Sequence, residues 1–238
     1  MKDTIQPGVH VGRRGFRAGA VACLPVLLAV GPFGLIFGIV AREAGLDLVQ
    51  TMVMTATVVA GASQLAVLQL LGDGAPVVMA ILAGAVVNLR MAMYSASLAP
   101  WWQGVPPHLR ALGAVVLHDQ AYALSLARYR AREEPLSDRV GYYFAVGFVT
   151  ASVWTVMTFV GATLGDRLPA DLDLAFMVPV TFISITAPML RGGRNLAAAG
   201  VAAALALAFA WLPYGLGLMV GAAGGIAAGM WLARGEAR

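Results

Sequence analysis

Ala75-Pro-Val-Val-Met-Ala-Ile-Leu-Ala-Gly-Ala-Val-Val-Asn-Leu-Arg-Met-Ala-Met-Tyr-Ser-Ala-Ser-Leu-Ala99 is an apolar run interrupted by a single charge, Arg90. About 20 mainly apolar residues let a helix cross a bilayer, because backbone amides inside hydrocarbon must be paired within the helix. This run meets that length. An arginine near its middle is costly in lipid, by about 2.5–3.5 kcal/mol on insertion scales, so Arg90 must face a partner or a watery cavity. The run therefore predicts a membrane span with a polar purpose.

Working outward with the same ruler, seven further candidates emerge. In order, the eight are Ala18–Val40, Gln50–Leu71, Ala75–Ala99, Leu109–Ala127, Gly141–Leu164, Leu174–Leu190, Leu196–Leu212 and Tyr214–Ala233. The sixth and seventh are short, and a re-entrant arrangement there would lower the number of full crossings. The expected fold is all-α: a polytopic membrane helical bundle of about eight transmembrane helices, some broken by Pro or Gly. A single membrane domain over 18–233 would lie between a cytoplasmic segment, 1–17, and a short cytoplasmic tail, 234–238.

Composition agrees. Of 238 residues, 60% are hydrophobic and only 12% charged, with a mean hydropathy of +0.79, whereas soluble domains carry about 25% charged residues. The formal net charge of +4 comes from short clusters between apolar runs, which excludes a basic nucleic-acid-binding face and reads as a topology signal. Cys23 is the one cysteine, so no disulfide or thiol metal cluster can form within the chain. The basic Arg13, Arg14 and Arg17 before the first run would suit a signal peptide, but the run exceeds the usual core of about 7–15 residues and is expected to remain as a span.

Cytoplasmic loops carry excess Lys and Arg. With the N-terminus inside, the inner segments hold Lys2, Arg13, Arg14, Arg17, Arg128, Arg130, Arg132, Arg139, Arg191, Arg194, Arg234 and Arg238, and the outer ones Arg42, Arg110 and Arg167. That distribution predicts both termini in the cytoplasm and an even number of spans. A short echo, Gly45–Leu48 against Asp171–Leu174 at an offset of 126 residues, is too brief to establish a repeat.

Three polar clusters fall at similar depth: Gly61-Ala62-Ser63-Gln64, Asn88-Leu89-Arg90 and His118-Asp119-Gln120. An Arg90–Asp119 ion pair could be mere glue between helices. Polar groups concentrated at one depth in three adjacent spans point instead to a binding site. Pro25 and Gly31-Pro32-Phe33-Gly34 in the first span, with Pro179 and Pro188 in the sixth, are expected to break helices and free backbone groups for a substrate. No metalloprotease, nucleophile-elbow or phosphate-loop motif occurs. Ser63 and His118 leave an intramembrane hydrolase open as a second class of function, and a purely structural subunit as a third.

Taken together, Arg14–Gly19, Gly31–Gly38, Ala60–Gln64, Asn88–Ser95 and Asp119, with Asp-Leu-Ala-Phe, Pro179 and Phe182 later, resemble the AzlC-type branched-chain amino acid permeases. The resemblance runs from about Arg13 to the end. Met91 departs from it where His would be expected, as does Gln120, where an acidic residue often follows the Asp. The resemblance implies export of branched-chain or similar apolar amino acids across the bacterial inner membrane, without a cofactor or metal. It also implies a small AzlD-type membrane subunit as partner. The residues suit such a substrate: Arg90 for its carboxylate, Asp119 or freed carbonyls for its ammonium, and Asn88, Ser63, Gln64, Pro32 and Gly34 around it. Asp119 and His118 are the candidates for proton coupling.

Overall fold

The computed structural model describes residues 10–165, 190, 192–212 and 216–235. They form nine α-helices and one 3-10 turn, with no strand among the described residues. The helices are α1 Arg13–Glu43, α2 Leu48–Thr57, α3 Gly61–Gly72, α4 Val77–Leu98, α5 Pro107–Val115, α6 Asp119–Ala131, α7 Leu136–Gly165, α8 Gly193–Ala208 and α9 Leu216–Gly235. The turn, Ala99–Trp102, follows α4. Among the described residues, four segments are long and apolar enough to cross a membrane: α1, Val77–Trp102, α7 and Leu216–Ala233. This is a polytopic helical membrane protein. The sixth candidate span, with its Pro179 and Pro188, lies outside the described residues apart from Leu190.

The residues fall into two compact units, one holding those up to 64 with 85–165, the other 65–84 with those beyond 189. In the first, α1 and α7 lie side by side and parallel. Gly15 N–H donates to Asp138 Oδ1 and the Cys23 thiol reaches Val146 O, both at a separation of 123 residues. A Cβ on Gly38 would collide with the Thr158 carbonyl, and one on Gly161 with the Leu35 carbonyl. Such close approach is what small residues permit where lipid offers no hydrophobic drive for helix association. Cys23 is a buried filler of this seam.

The first span does not break where its prolines suggest. Helix α1 runs unbroken through Pro25 and Pro32, since packing on α7 along its length outweighs two missing backbone donors. The breaks come instead inside the second and fourth candidate spans, at Val58–Ala60 and Val116–His118, neither of which contains proline.

The fourth candidate is also not a crossing. After α4, Trp101 packs on Tyr129 and lies under the Arg139 guanidinium. Further on, Gly113 O accepts from the Tyr143 hydroxyl and Val116 meets Gly147. Helix α6 then returns antiparallel to α7, bringing Arg128 over the Tyr142 ring and the Tyr129 hydroxyl to Arg139 O. The chain from Trp101 to Ala131 thus meets only the first half of α7, entering and leaving on the same side as a re-entrant hairpin. Irregular backbone at membrane depth is tolerated when it is buried in protein, as here. Arg110, assigned above to the outer side, therefore belongs on the side of Arg128 and Arg139.

In the second unit, α8 and α9 form an antiparallel pair closed by Gly221 and Gly225 against Ala202. Leu70, Ala75 and Ala80 form a small apolar cluster about the turn between α3 and α4.

Candidate functional site

Both interruptions rest on α7, close to the middle of its 30 residues. At the first, a Cβ on Gly61 would lie 2.6 Å from the Trp154 ring and 3.0 Å from Phe33, so only glycine lets α3 start so close to this aromatic pair. Gln64, fully buried, donates from Nε2 to Val58 O at 2.6 Å and Met54 O at 3.3 Å. Its carboxamide thereby serves Val58 O, which the missing next turn would have satisfied, and adds a second donor to Met54 O, which also accepts from Val58 N. Ser63 is buried beside it in α3.

At the second interruption, Gly147 lets Val116 approach to 3.0 Å from where a Cβ would stand. His118, 6% exposed, caps α6. Its Nε2 lies 3.2 Å from Gly147 O, and its Nδ1 lies 3.3 Å from Ala121 N and 3.0 Å from Gln120 Oε1. A carbonyl only accepts, so Nε2 carries the proton and donates to Gly147 O. Nδ1 is then bare and accepts from the Ala121 amide. The Gln120 amide must turn its NH2 toward Nδ1 for this network to close. Both imidazole nitrogens are thus engaged in holding the hairpin.

Asp119, in the first turn of α6, lies where the helix dipole favours a carboxylate. It accepts from the Tyr94 hydroxyl at 3.0 Å through Oδ1. Its Oδ2 lies 3.1 Å from Nη2 of Arg90. Tyr94 stacks on Tyr122 with centroids 4.1 Å apart, and the Tyr122 hydroxyl pairs with Ser97. Arg90, Tyr94 and Ser97 form one face of α4 at helical spacing, so a polar seam joins α4 to the parallel α6. Nη2 of Arg90 thus faces Asp119 in an ion pair that is not directed as a hydrogen bond, while its Nε is buried without an acceptor. The side chains of Arg90 and Asp119 are 23% and 39% exposed.

Asn88 sits two residues before Arg90, on a different face of α4; its Oδ1 is buried without a donor. Pro32 and Gly34 lie in unbroken α1, and a Cβ on Gly34 would stand 3.0 Å from the Trp154 carbonyl. Gly34 packs on α7, whereas Pro32 is exposed. A cavity of about 150 Å³ opens beside the hairpin among Leu98, Trp102, Arg110, Gly113, Leu117 and Tyr143, and neither Arg90 nor Asp119 lines it. Among the described residues no cluster of His, Cys, Asp and Glu could hold a metal ion. Sequence reasoning missed Tyr94, although its spacing from Arg90 could have flagged it, and missed Gly147 and Trp154, which carry no local signal.

A pair of broken helices with a charged pair at one break is the construction membrane transporters use to hold solutes at the bilayer centre. Residues 25–168 match the AzlC protein family. The chain belongs to the AzlC family. An uncharacterized membrane protein of Archaeoglobus fulgidus is 31% identical over 82% of this chain and 84% of its own length. Inner membrane protein YgaZ of Escherichia coli K12 is 27% identical over 73% of this chain and 72% of its own length. No solved structure matches. For this AzlC-family chain, membrane residence and an architecture consistent with transport follow directly.

Proposed function

We propose that this AzlC-family protein is the large subunit of a secondary transporter that exports branched-chain or similar apolar amino acids across the bacterial inner membrane. The observation that carries the reading is Arg90: a guanidinium in an apolar span, ion-paired through Nη2 with Asp119 and with its Nε–H buried and unused. A planar fork suits a carboxylate, which accepts two parallel hydrogen bonds. In the empty site Asp119 balances the charge, and an incoming amino acid takes the guanidinium while offering its ammonium to Asp119 or to freed carbonyls at the other break. The apolar walls of the bundle suit an aliphatic side chain.

The small AzlD-type partner belongs to the same proposal. Asp119 is 39% exposed, and Leu89 and Met93 beside Arg90 on α4 are exposed as well. A charge at membrane depth does not face lipid, so this side of the seam needs a protein cover or a water-filled vestibule. A basic cytoplasmic face, now including Arg110, keeps the N-terminus inside. Among the alternatives, a permease for another carboxylate-bearing solute uses the same Arg90. A serine hydrolase is less well supported, because both nitrogens of His118 are committed to the hairpin.

Counterflow tests the reading. Vesicles containing this chain and its AzlD-type partner, preloaded with leucine, should accumulate labelled leucine, isoleucine and valine, whereas vesicles with the Arg90→Lys chain should lose most of that uptake. Uptake of an unrelated organic acid with none of the aliphatic amino acids would move the assignment to the other permease reading.

A further inference from the structure

The break between α2 and α3 leaves acceptors with nothing to accept from. Only the NH2 end of the Gln64 carboxamide can face two carbonyls, so its contacts with Val58 O and Met54 O fix its orientation and turn Oε1 away from them. That Oε1 is buried and has no donor. Near the end of α2, Thr55 is 4% exposed and its Oγ1 is likewise buried without a partner. A buried acceptor left unpaired costs about 1–3 kcal/mol, so two of them at one helix end call for an occupant. This is also the C-terminal end of a helix, where the last carbonyls have no following turn and the dipole is negative.

We propose that the end of α2 is a binding site for a small monovalent cation, with Gln64 Oε1 and Thr55 Oγ1 among its oxygen ligands. The acidic residue of this segment, Asp47, caps the opposite end of α2, so the ligands are neutral oxygens. Neutral hydroxyl and carbonyl oxygens suit an alkali ion or a primary ammonium, whereas a calcium-type divalent site draws on carboxylates. The cation is either a coupling alkali ion or the ammonium of the transported solute; the second source rests on the transport reading above, the first does not.

Thermal unfolding of the purified chain in detergent separates these sources. The protein is melted in choline chloride, then with sodium, lithium or potassium chloride at the same ionic strength. In choline it is also melted with leucine or with isocaproate, which lacks the amine. A ligand that binds only the folded state raises Tm with concentration. One alkali ion raising Tm by several degrees would identify a coupling ion; leucine acting where isocaproate does not would identify the solute's ammonium. In Thr55→Val, nearly isosteric, the half-saturating concentration of whichever cation acts should rise about tenfold, or about 1.4 kcal/mol. Thr55→Ser, which keeps the hydroxyl, should retain the wild-type value. No shift with any cation, or equal shifts in wild type and Thr55→Val, would overturn the site. Efflux of leucine persisting alongside such a result would leave the transport reading standing.

Discussion

The α5–α6 interruption is closed by an imidazole and the α2–α3 interruption by a carboxamide. His118 uses both ring nitrogens, one on the Gly147 carbonyl and one on its own helix, and leaves the chemistry to Asp119 beside it. Gln64 donates its amide hydrogens to α2 and keeps a buried oxygen with no partner. One break therefore presents a charged pair with a spare donor at a helix N-terminus, and the other spare acceptors at a helix C-terminus. The two differ in polarity as the ends of a helix do, and a zwitterion or an ion-coupled anion needs both kinds of end.

The largest expected effect concerns topology. In a Cys23→Ala background, Arg110→Cys and Arg132→Cys should react with a membrane-impermeant maleimide from one and the same side, and Arg42→Cys from the other. Labelling of Arg110→Cys and Arg132→Cys from opposite sides would turn the hairpin back into a crossing. Next comes Gly147→Val, which forces the hairpin off α7 and should lower stability by about 3 kcal/mol, read as Tm and folded yield in detergent. His118→Ala removes the α6 cap and the second donor to the Gly147 carbonyl, costing about 0.5–2 kcal/mol; His118→Asn, able to cap α6, should recover part of that loss. At the bottom lies Gly200→Ala in α8, where a Cβ meets nothing within 4 Å. It should leave transport unchanged and raise stability by at most about 1 kcal/mol.

Much of the fold was legible because hydropathy is summed over long windows, and α1, α4, α7 and the apolar part of α9 follow it. The breaks were not, for physical reasons. Val58-Val59-Ala60 carries no stop signal, and what ends α2 there is a carboxamide from Gln64 together with an aromatic wall from Phe33 and Trp154. Pro25 and Pro32 carry the stronger local signal, yet packing on α7 holds α1 straight through both. The meeting of Arg90 with Asp119 could be inferred from cost alone, since neither charge survives singly in lipid. Their support by Tyr94 and the stacked Tyr122 depends on α4 and α6 running parallel, which follows from the hairpin and from nothing local.

The most direct test of the central claim replaces both charges together, Arg90→Met with Asp119→Val. Removing a buried ion pair as a unit is often neutral or stabilising, because the desolvation penalty goes with it. If the pair holds substrate, the double variant should fold with wild-type yield and melting, while amino acid efflux from loaded vesicles at matched protein level falls to that of empty vesicles. Efflux near the wild-type rate would make the pair glue between α4 and α6 and contradict the assignment of Arg90 to the substrate carboxylate.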